Sequence, residues 1–289
     1  MRRLTLIVAA SIGMLLSIPA IGASPDVYNN LTPNNSIAIA TRPDTAGFEI
    51  EAADDFFLGA QTNITGASFT GLIVPGSAGA PSVSQVVVEI YRVFPNDSNT
   101  VRTPNVPTRA NSPSDVAFNS KDSGAVELTF STSVLAATFT ALNSVQPGGI
   151  HPLPGQTTLG NGPLTGQEVQ INVSFASAFN LPADHYFFIP QVALTNGGQF
   201  YWLSASRPIS GPGTTPFPPG VTDLQAWTRD AALDPDWLRV GTDIVGGATP
   251  PTFNAAFSLS GVAALPEPST WLLLSLGLGG LGFVTRRRS

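Results

Sequence analysis

The residue types best able to bind a ligand crowd one stretch of this sequence, from Trp227 to Thr242. Trp227, Arg229, Trp237 and Arg239 alternate there with carboxylates. Aromatic rings stack on the apolar faces of sugars, while arginines and carboxylates hydrogen-bond to hydroxyls, so we predict that any ligand site lies in this stretch. The alternative is that the two rings fill the core and that the carboxylates face solvent in turns.

Carboxylates of the same stretch are weak candidates for holding calcium. Asp230, Asp234 and Asp236 offer the oxygen ligands that Ca²⁺ prefers, although the sequence contains no EF-hand loop. A second acidic group consists of Glu49, Glu51 and Asp55. These residues occupy odd-numbered positions of one predicted strand, so their side chains point to the same face. Calcium is therefore the one cofactor that the sequence suggests, and solvated acidic loops are the alternative.

Signals for catalysis are sparse. The two histidines, His151 and His185, show no metal-ligand spacing, and the absence of cysteine excludes disulfides, thiolate metal sites and cysteine nucleophiles. Glycoside hydrolysis needs two carboxylates ~5–10 Å apart. Asp54 and Asp55 are adjacent, but neighbouring side chains of a strand point to opposite faces. We expect a protein that is not an enzyme, with a secreted polysaccharide-active hydrolase or lyase as the alternative.

The charge balance restricts the partners. The chain has a formal net charge of −6, and Lys121 is its single lysine. Nucleic-acid binding needs a basic stripe that this sequence lacks, so we expect no nucleic-acid partner. An acidic surface also repels polyanions, which makes a neutral or cationic ligand, such as a neutral polysaccharide, the expected one.

Alternation of polar and apolar residues predicts an all-β domain. The pattern is clearest at 168–175, and 85–93 and 186–194 are apolar on both faces, as central strands are. Other predicted strands span 48–58, 64–74, 126–130, 134–140, 199–205, 223–228, 237–240 and 255–260. A long polar loop with several prolines spans 95–123, and stretches rich in proline and glycine span 146–166 and 208–220. We predict an antiparallel β-sandwich, jelly-roll-like, over residues 24–263.

The first residues have the features of a secretory signal peptide. Arg2 and Arg3 precede a largely apolar run, which ends in small residues at Ala23. A basic start, an apolar centre and a small-residue cleavage site are typical of such peptides. We therefore exclude 1–23 from the fold and expect the Sec export machinery and signal peptidase as partners.

The last residues combine three features in a fixed order. Pro266-Glu267-Pro268-Ser269-Thr270 comes first, the uncharged segment 271–284 follows, and Arg286, Arg287 and Arg288 come last. The prolines keep the peptide around Glu267 extended. As a helix the apolar segment is about 21 Å long, short for a hydrocarbon core of roughly 30 Å, and basic flanks of membrane segments stay in the cytoplasm. An ordinary anchor helix would not explain the Pro-Glu-Pro triplet.

This arrangement resembles the PEP-CTERM sorting signal of exported bacterial proteins. The resemblance implies that 264–289 is a sorting signal, with a short transmembrane helix, recognised by an intramembrane exosortase. It implies transient anchoring in the inner membrane, followed by release to the cell surface or the extracellular space. It also implies an association with exopolysaccharide and biofilm. The body between the two signals resembles no family that we recognise.

Overall fold

The computed structural model describes residues 26–44, 47–101, 111–151, 156–206, 224–233 and 237–263. This part of the chain consists of fifteen strands joined by loops and two short helical turns. The strands are β1 (Asp26–Asn29), β2 (Pro33–Ala40), β3 (Ile50–Phe57), β4 (Thr62–Val74), β5 (Val83–Arg92), β6 (Asn119–Asp122), β7 (Leu128–Ala141), β8 (Ser144–Val145), β9 (Leu164–Leu181), β10 (His185–Leu194), β11 (Gln199–Ala205), β12 (Trp227–Asp230), β13 (Leu238–Arg239), β14 (Asn254–Ala255) and β15 (Phe257–Ala263). The helical turns are Pro147–Gly149 and Val240–Val245.

The first sheet contains nine strands and is built around β4. One edge of β4 pairs with β9, which in turn pairs with β7. The other edge of β4 pairs first with β15 and then with β11. From there β15 leads to β1, and β11 leads to β2 and β14. All these pairs are antiparallel, whereas β8 lies parallel to β2.

The second sheet contains six strands in the order β13-β12-β3-β10-β5-β6. Every pair in it is antiparallel. The strand order does not follow the sequence. Strand β10 lies between β3 and β5, and β12 pairs with the other side of β3. This order brings residues near 50, 90, 190 and 229 onto one surface.

A shared aromatic core joins the two sheets. The rings of Phe188 and Phe257 stack with centroids 5.0 Å apart, and Phe69 and Trp202 pack edge-on around Phe188. The indole N–H of Trp202 donates to the Ala256 carbonyl at 2.9 Å, so the polar group of this buried ring has a hydrogen-bond partner. Burial of these large rings is the main source of stability for such a core.

A buried carboxylate also connects the sheets. Asp54 of β3 accepts a hydrogen bond from the Ala255 amide of β14 at 2.8 Å, and it has no exposed surface. Burial raises the pKa of Asp54 well above its ordinary value, and the neighbouring Asp55 adds to the rise. Asp55 points the other way, toward His185, as the alternation of a strand requires.

The prediction of an all-β body is confirmed for the described residues, with differences of detail. The strands expected at 126–130 and 134–140 are one strand, β7, with irregular pairing between Val134 and Phe139. Short β6 lies in the segment 95–123, where no strand was expected, because its polar residues hide the pattern. The sequence also missed β1, β2 and β8. The jelly-roll-like arrangement stays a prediction.

No helix among the described residues has the length and apolar character that crossing a bilayer requires. The predicted signal peptide, 1–23, and the predicted transmembrane segment, 271–284, lie outside those residues.

Candidate functional site

The candidate site lies on the face of the second sheet that is turned away from the shared core. Odd-numbered residues of β3 point to this face, since even-numbered Ala52 and Phe56 belong to the shared core. Six buried residues form a second, smaller core here: Ala53, Tyr91, Phe187, Ile189, Trp227 and Trp237. Segment 111–118 packs against this small core through Ala117. The face is therefore covered rather than open.

Three carboxylates from two strands converge beside this small core. Glu49 and Glu51 belong to the β3 region and Glu89 to β5, and their carboxylate oxygens lie within 4.8 Å of one another. Gln191 of the intervening β10 donates to Glu49 Oε1 at 2.7 Å. Glu51 is fully buried, whereas Glu49 and Glu89 are half-buried. These three are the described residues whose geometry could suit a metal ion.

Arg229 of β12 holds this group in place. It lies opposite Glu51 in the strand register and donates to the Glu51 carboxylate through Nε. A second nitrogen donates to the Tyr91 hydroxyl at 2.8 Å, and that hydroxyl donates to Glu51 at 2.9 Å. A third donates to the Asp115 carbonyl at 3.0 Å. The guanidinium carbon also lies 4.6 Å from the centroid of the Trp237 ring, a cation–π distance.

The carboxylates perturb one another. Burial raises the pKa of Glu89 to about 8, and the charges of Glu51 and Glu49 and a hydrogen bond to Glu51 add to the rise. Burial likewise raises the pKa of Glu49. At neutral pH Glu89 is therefore mostly protonated and acts as a hydrogen-bond donor inside the cluster. A protonated carboxyl close to a second carboxylate is the pair that glycoside hydrolysis uses. Burial keeps Glu51, however, out of reach of a substrate.

A cleft of about 560 Å³ opens next to the cluster. Its lining comprises Asp97, Ser98, Asn99, Asp115, Val116, Arg229, Ala231 and Leu233. The Asp97 carboxylate is paired with Arg92, and Asp115 Oδ2 accepts from the Asn99 amide at 2.8 Å. The volume is within the range of small-ligand pockets, and the wall combines polar groups with the apolar side chains of Val116, Ala231 and Leu233.

Of the predicted ligand residues, Arg229 lines this cleft, and the two tryptophan rings are not exposed. Trp227 and Trp237 have no exposed surface, and the Trp237 indole donates to the Ser114 carbonyl at 2.9 Å. This placement is the one that the alternative interpretation, core filling, requires. Arg229 is buried in the network described above, and Arg239 forms an ion pair at 3.0 Å with Asp243, four residues on.

The predicted calcium ligands do not form one group among the described residues. Asp230 is buried and accepts from the Ala232 amide at 2.9 Å, as in a turn. Asp234 and Asp236 lie outside the described residues. In the second predicted group, Glu49 and Glu51 approach Glu89, whereas Asp55 contacts His185. The sequence alone could not pair Glu89 with another carboxylate and did not single out Tyr91 or Asp115. The strand order brings Glu89 and Tyr91 to Glu51, and a loop brings the Asp115 carbonyl to Arg229.

His185 and Asp55 form a separate, largely buried pair where β10 begins. Their Nε2 and Oδ2 atoms are 3.0 Å apart, and the imidazole stacks on Phe57 with centroids 4.0 Å apart. Burial lowers the pKa of His185 to about 4, against a smaller opposing effect of Asp184. His185 is therefore neutral at physiological pH, and its role here is to satisfy a buried carboxylate.

Comparison with known proteins identifies one segment of the chain. Residues 264–288 match the PEP-CTERM protein-sorting motif. The match includes Pro266 to Thr270 and the Arg286 to Arg288 cluster, which lie outside the described residues. No curated protein and no solved structure matches the chain. The predicted sorting motif is thus confirmed, and it indicates an exported protein that an exosortase sorts.

Proposed function

We propose that this chain is an exported bacterial surface or extracellular-matrix protein without enzymatic activity, associated with exopolysaccharide or biofilm. The observation that carries the proposal is the sorting motif at 264–288. In this proposal the Sec machinery and signal peptidase export the chain, and the segment 271–284 anchors it in the inner membrane as a short helix. An exosortase then acts around Glu267 and releases a jelly-roll-like β-sandwich to the surface.

The arrangement of charged groups supports a binding or structural role over catalysis. Arg229 and Tyr91 already satisfy the Glu51 carboxylate, and the ion pair is buried. The adjoining cleft, in contrast, presents polar groups at the surface. Hydroxyl groups of a neutral polysaccharide match such a wall, whereas polyanions are disfavoured by a chain of net charge −6.

The sorting step is tested by Glu267→Ala and Pro268→Ala in a host that carries the matching exosortase. We expect both variants to accumulate as membrane-bound precursor, because they alter the triplet that an ordinary anchor lacks. Glu127→Ala changes an exposed glutamate of the body and is the matched control, which should mature normally. Intact-mass analysis that shows normal maturation of both motif variants would contradict the proposal.

Polysaccharide association is tested separately at the cleft. Ala231 is exposed at the cleft wall, so Ala231→Trp should fill part of the 560 Å³ volume. We expect reduced retention of the exported protein on the host's own exopolysaccharide. Ala125→Trp adds the same ring at an exposed position away from the cleft and is the control. Unchanged retention of Ala231→Trp would exclude the cleft without affecting the sorting step.

The second candidate function is a secreted polysaccharide-active hydrolase or lyase. The observation that favours it is Glu89, protonated at neutral pH and within 4.8 Å of two further carboxylates. Release of new sugar ends from host polysaccharide by the exported protein, abolished in Glu89→Gln, would favour the enzyme over the matrix protein. Equal absence of release in both proteins would remove this candidate.

A further inference from the structure

Strand β7 forms a long open edge of the first sheet. Among the described residues it pairs with β9 on one side and with no strand on the other. Side chains from Thr129 to Leu135 are exposed on both faces, apart from the half-buried Phe130. Val134 and Leu135 are 58% and 50% exposed. The free edge thus includes two large apolar side chains that are at least half exposed.

The backbone of β7 has unused hydrogen-bonding groups along this edge. The Glu127 carbonyl accepts from the Ala176 amide at 2.8 Å, and the register continues with Leu128 opposite Phe175. In an antiparallel ladder the residues of one strand point their N–H and C=O groups alternately toward and away from the partner. Phe130, Thr132 and Val134 therefore point theirs away from β9, and no described residue hydrogen-bonds to those groups.

In natural sheets, edge strands usually carry charged residues or prolines, or are very short, which prevents them from pairing with another chain. The other edge strands in the described part of the chain follow that rule: β6 carries Lys121 and Asp122, β8, β13 and β14 have two residues each, and β1 has four. Strand β7 has 14 residues with neither a charge nor a proline. Its pairing is regular as far as Val134 and becomes irregular only beyond it. The unprotected part is thus Leu128 to Val134.

We propose that the edge of β7 pairs with β7 of a second copy of this chain, antiparallel and centred on Thr132. In that register Thr132 faces Thr132 of the second copy, and Phe130 faces its Val134. Threonine–threonine and aromatic–β-branched pairs are favourable across antiparallel strands. The two-fold arrangement uses one patch twice and closes at a dimer. Two chains of net charge −6 repel each other, so a contact between copies is favoured at a strand without charge, such as β7.

A cysteine cross-link tests the register directly, since the chain has no cysteine of its own. Residues that exchange both hydrogen bonds across an antiparallel pair have Cα atoms ~5.5 Å apart, within the range that a disulfide spans. Full-length Thr132→Cys, in a mild detergent with copper–phenanthroline, should form a covalent dimer. Ser174→Cys is the matched control: Ser174 is exposed on β9, an inner strand whose two edges are occupied.

We expect at least a several-fold higher dimer yield from Thr132→Cys than from Ser174→Cys. Equal yields from the two variants would overturn the proposal, as would a cross-link from Thr132→Cys to a different protein in the host. Thr132→Lys provides a second measurement, because it places two like charges face to face. Its sedimentation should show weaker self-association than that of Ser174→Lys, with unchanged circular dichroism. Identical sedimentation of the two lysine variants would also overturn the proposal.

Discussion

Arg229 and Glu51 lie directly opposite each other on β12 and β3 and form an ion pair that is almost fully withdrawn from solvent. The two residues are 178 positions apart in sequence. Removing one partner of such a pair leaves a buried charge without compensation, which is more damaging than removing both. The pair therefore fixes how the late strand β12 attaches to the second sheet.

Arg229→Met should lower the free energy of unfolding by about 3–5 kcal/mol, the usual cost of an uncompensated buried charge. Adding Glu51→Gln to this variant should recover part of the loss, since the double variant buries no unpaired charge. Denaturant unfolding measures both. Arg92→Met breaks the half-exposed pair with Asp97 and should cost no more than about 1 kcal/mol. Equal losses in Arg229→Met and Arg92→Met would contradict this account.

Glu89 should make the folded protein less stable as the pH rises. Its folded pKa of about 8 is above the ordinary 4.5, so between these values the folded state binds more protons than the unfolded state. The stabilising contribution is complete below about pH 4.5 and is lost by about pH 8. Glu89→Gln cannot lose a proton and should flatten the fall in melting temperature over that range. Glu127→Gln, at an exposed position, should leave the fall unchanged; a Glu89→Gln profile as steep as the wild type's would count against the prediction.

His185 should titrate far below an ordinary histidine. Its folded pKa of about 4 is under the usual 6.5, so its contribution to stability is present above about pH 6.5 and lost as the pH falls toward 4. Proton NMR of the imidazole resonances should therefore show one histidine that stays neutral down to about pH 5. His185→Gln identifies its signal. A midpoint near 6.5 for that signal would mean that the imidazole is not buried against Asp55.

Trp237 should behave as a core residue. Trp237→Ala should cost about 3–5 kcal/mol, the usual loss for a buried aromatic ring, whereas Trp237→Phe should cost less because most of the packing remains. Chemical denaturation measures both variants. A Trp237→Ala protein of normal stability that no longer binds host polysaccharide would instead assign the ring to a ligand site.

The sequence was sufficient for the strands whose side chains alternate or are wholly apolar. Polar and apolar residues alternate along β9, and β10 is rich in the aromatic and β-branched residues that strands favour. Strand β2 was missed because it begins with proline, asparagine and serine, and β6 because it consists of asparagine, serine and charged residues. Such residues favour turns locally. Their strand conformation comes from pairing with β11 and β5, distant in sequence.

The candidate site was predictable only in part, for a related reason. The common parity of Glu49 and Glu51 was visible in the sequence, but their approach to Glu89 depends on β10 lying between β3 and β5. The sequence left two roles open for Trp227 and Trp237. Choosing between them requires knowing that segment 111–118 covers that face of the sheet, and no local pattern contains this information.

The pairing of β1 with β15 has a consequence for the order of events during export. Asp26 pairs with Ser260, so the earliest described strand has no partner until almost the last one has been delivered. A chain that crosses a membrane amino end first must therefore hold β1 unpaired throughout its passage, and closing so long a loop slows folding. Strand β15 ends at Ala263 and the sorting motif begins at 264, so the strand that completes this pairing lies directly before the sorting motif in sequence.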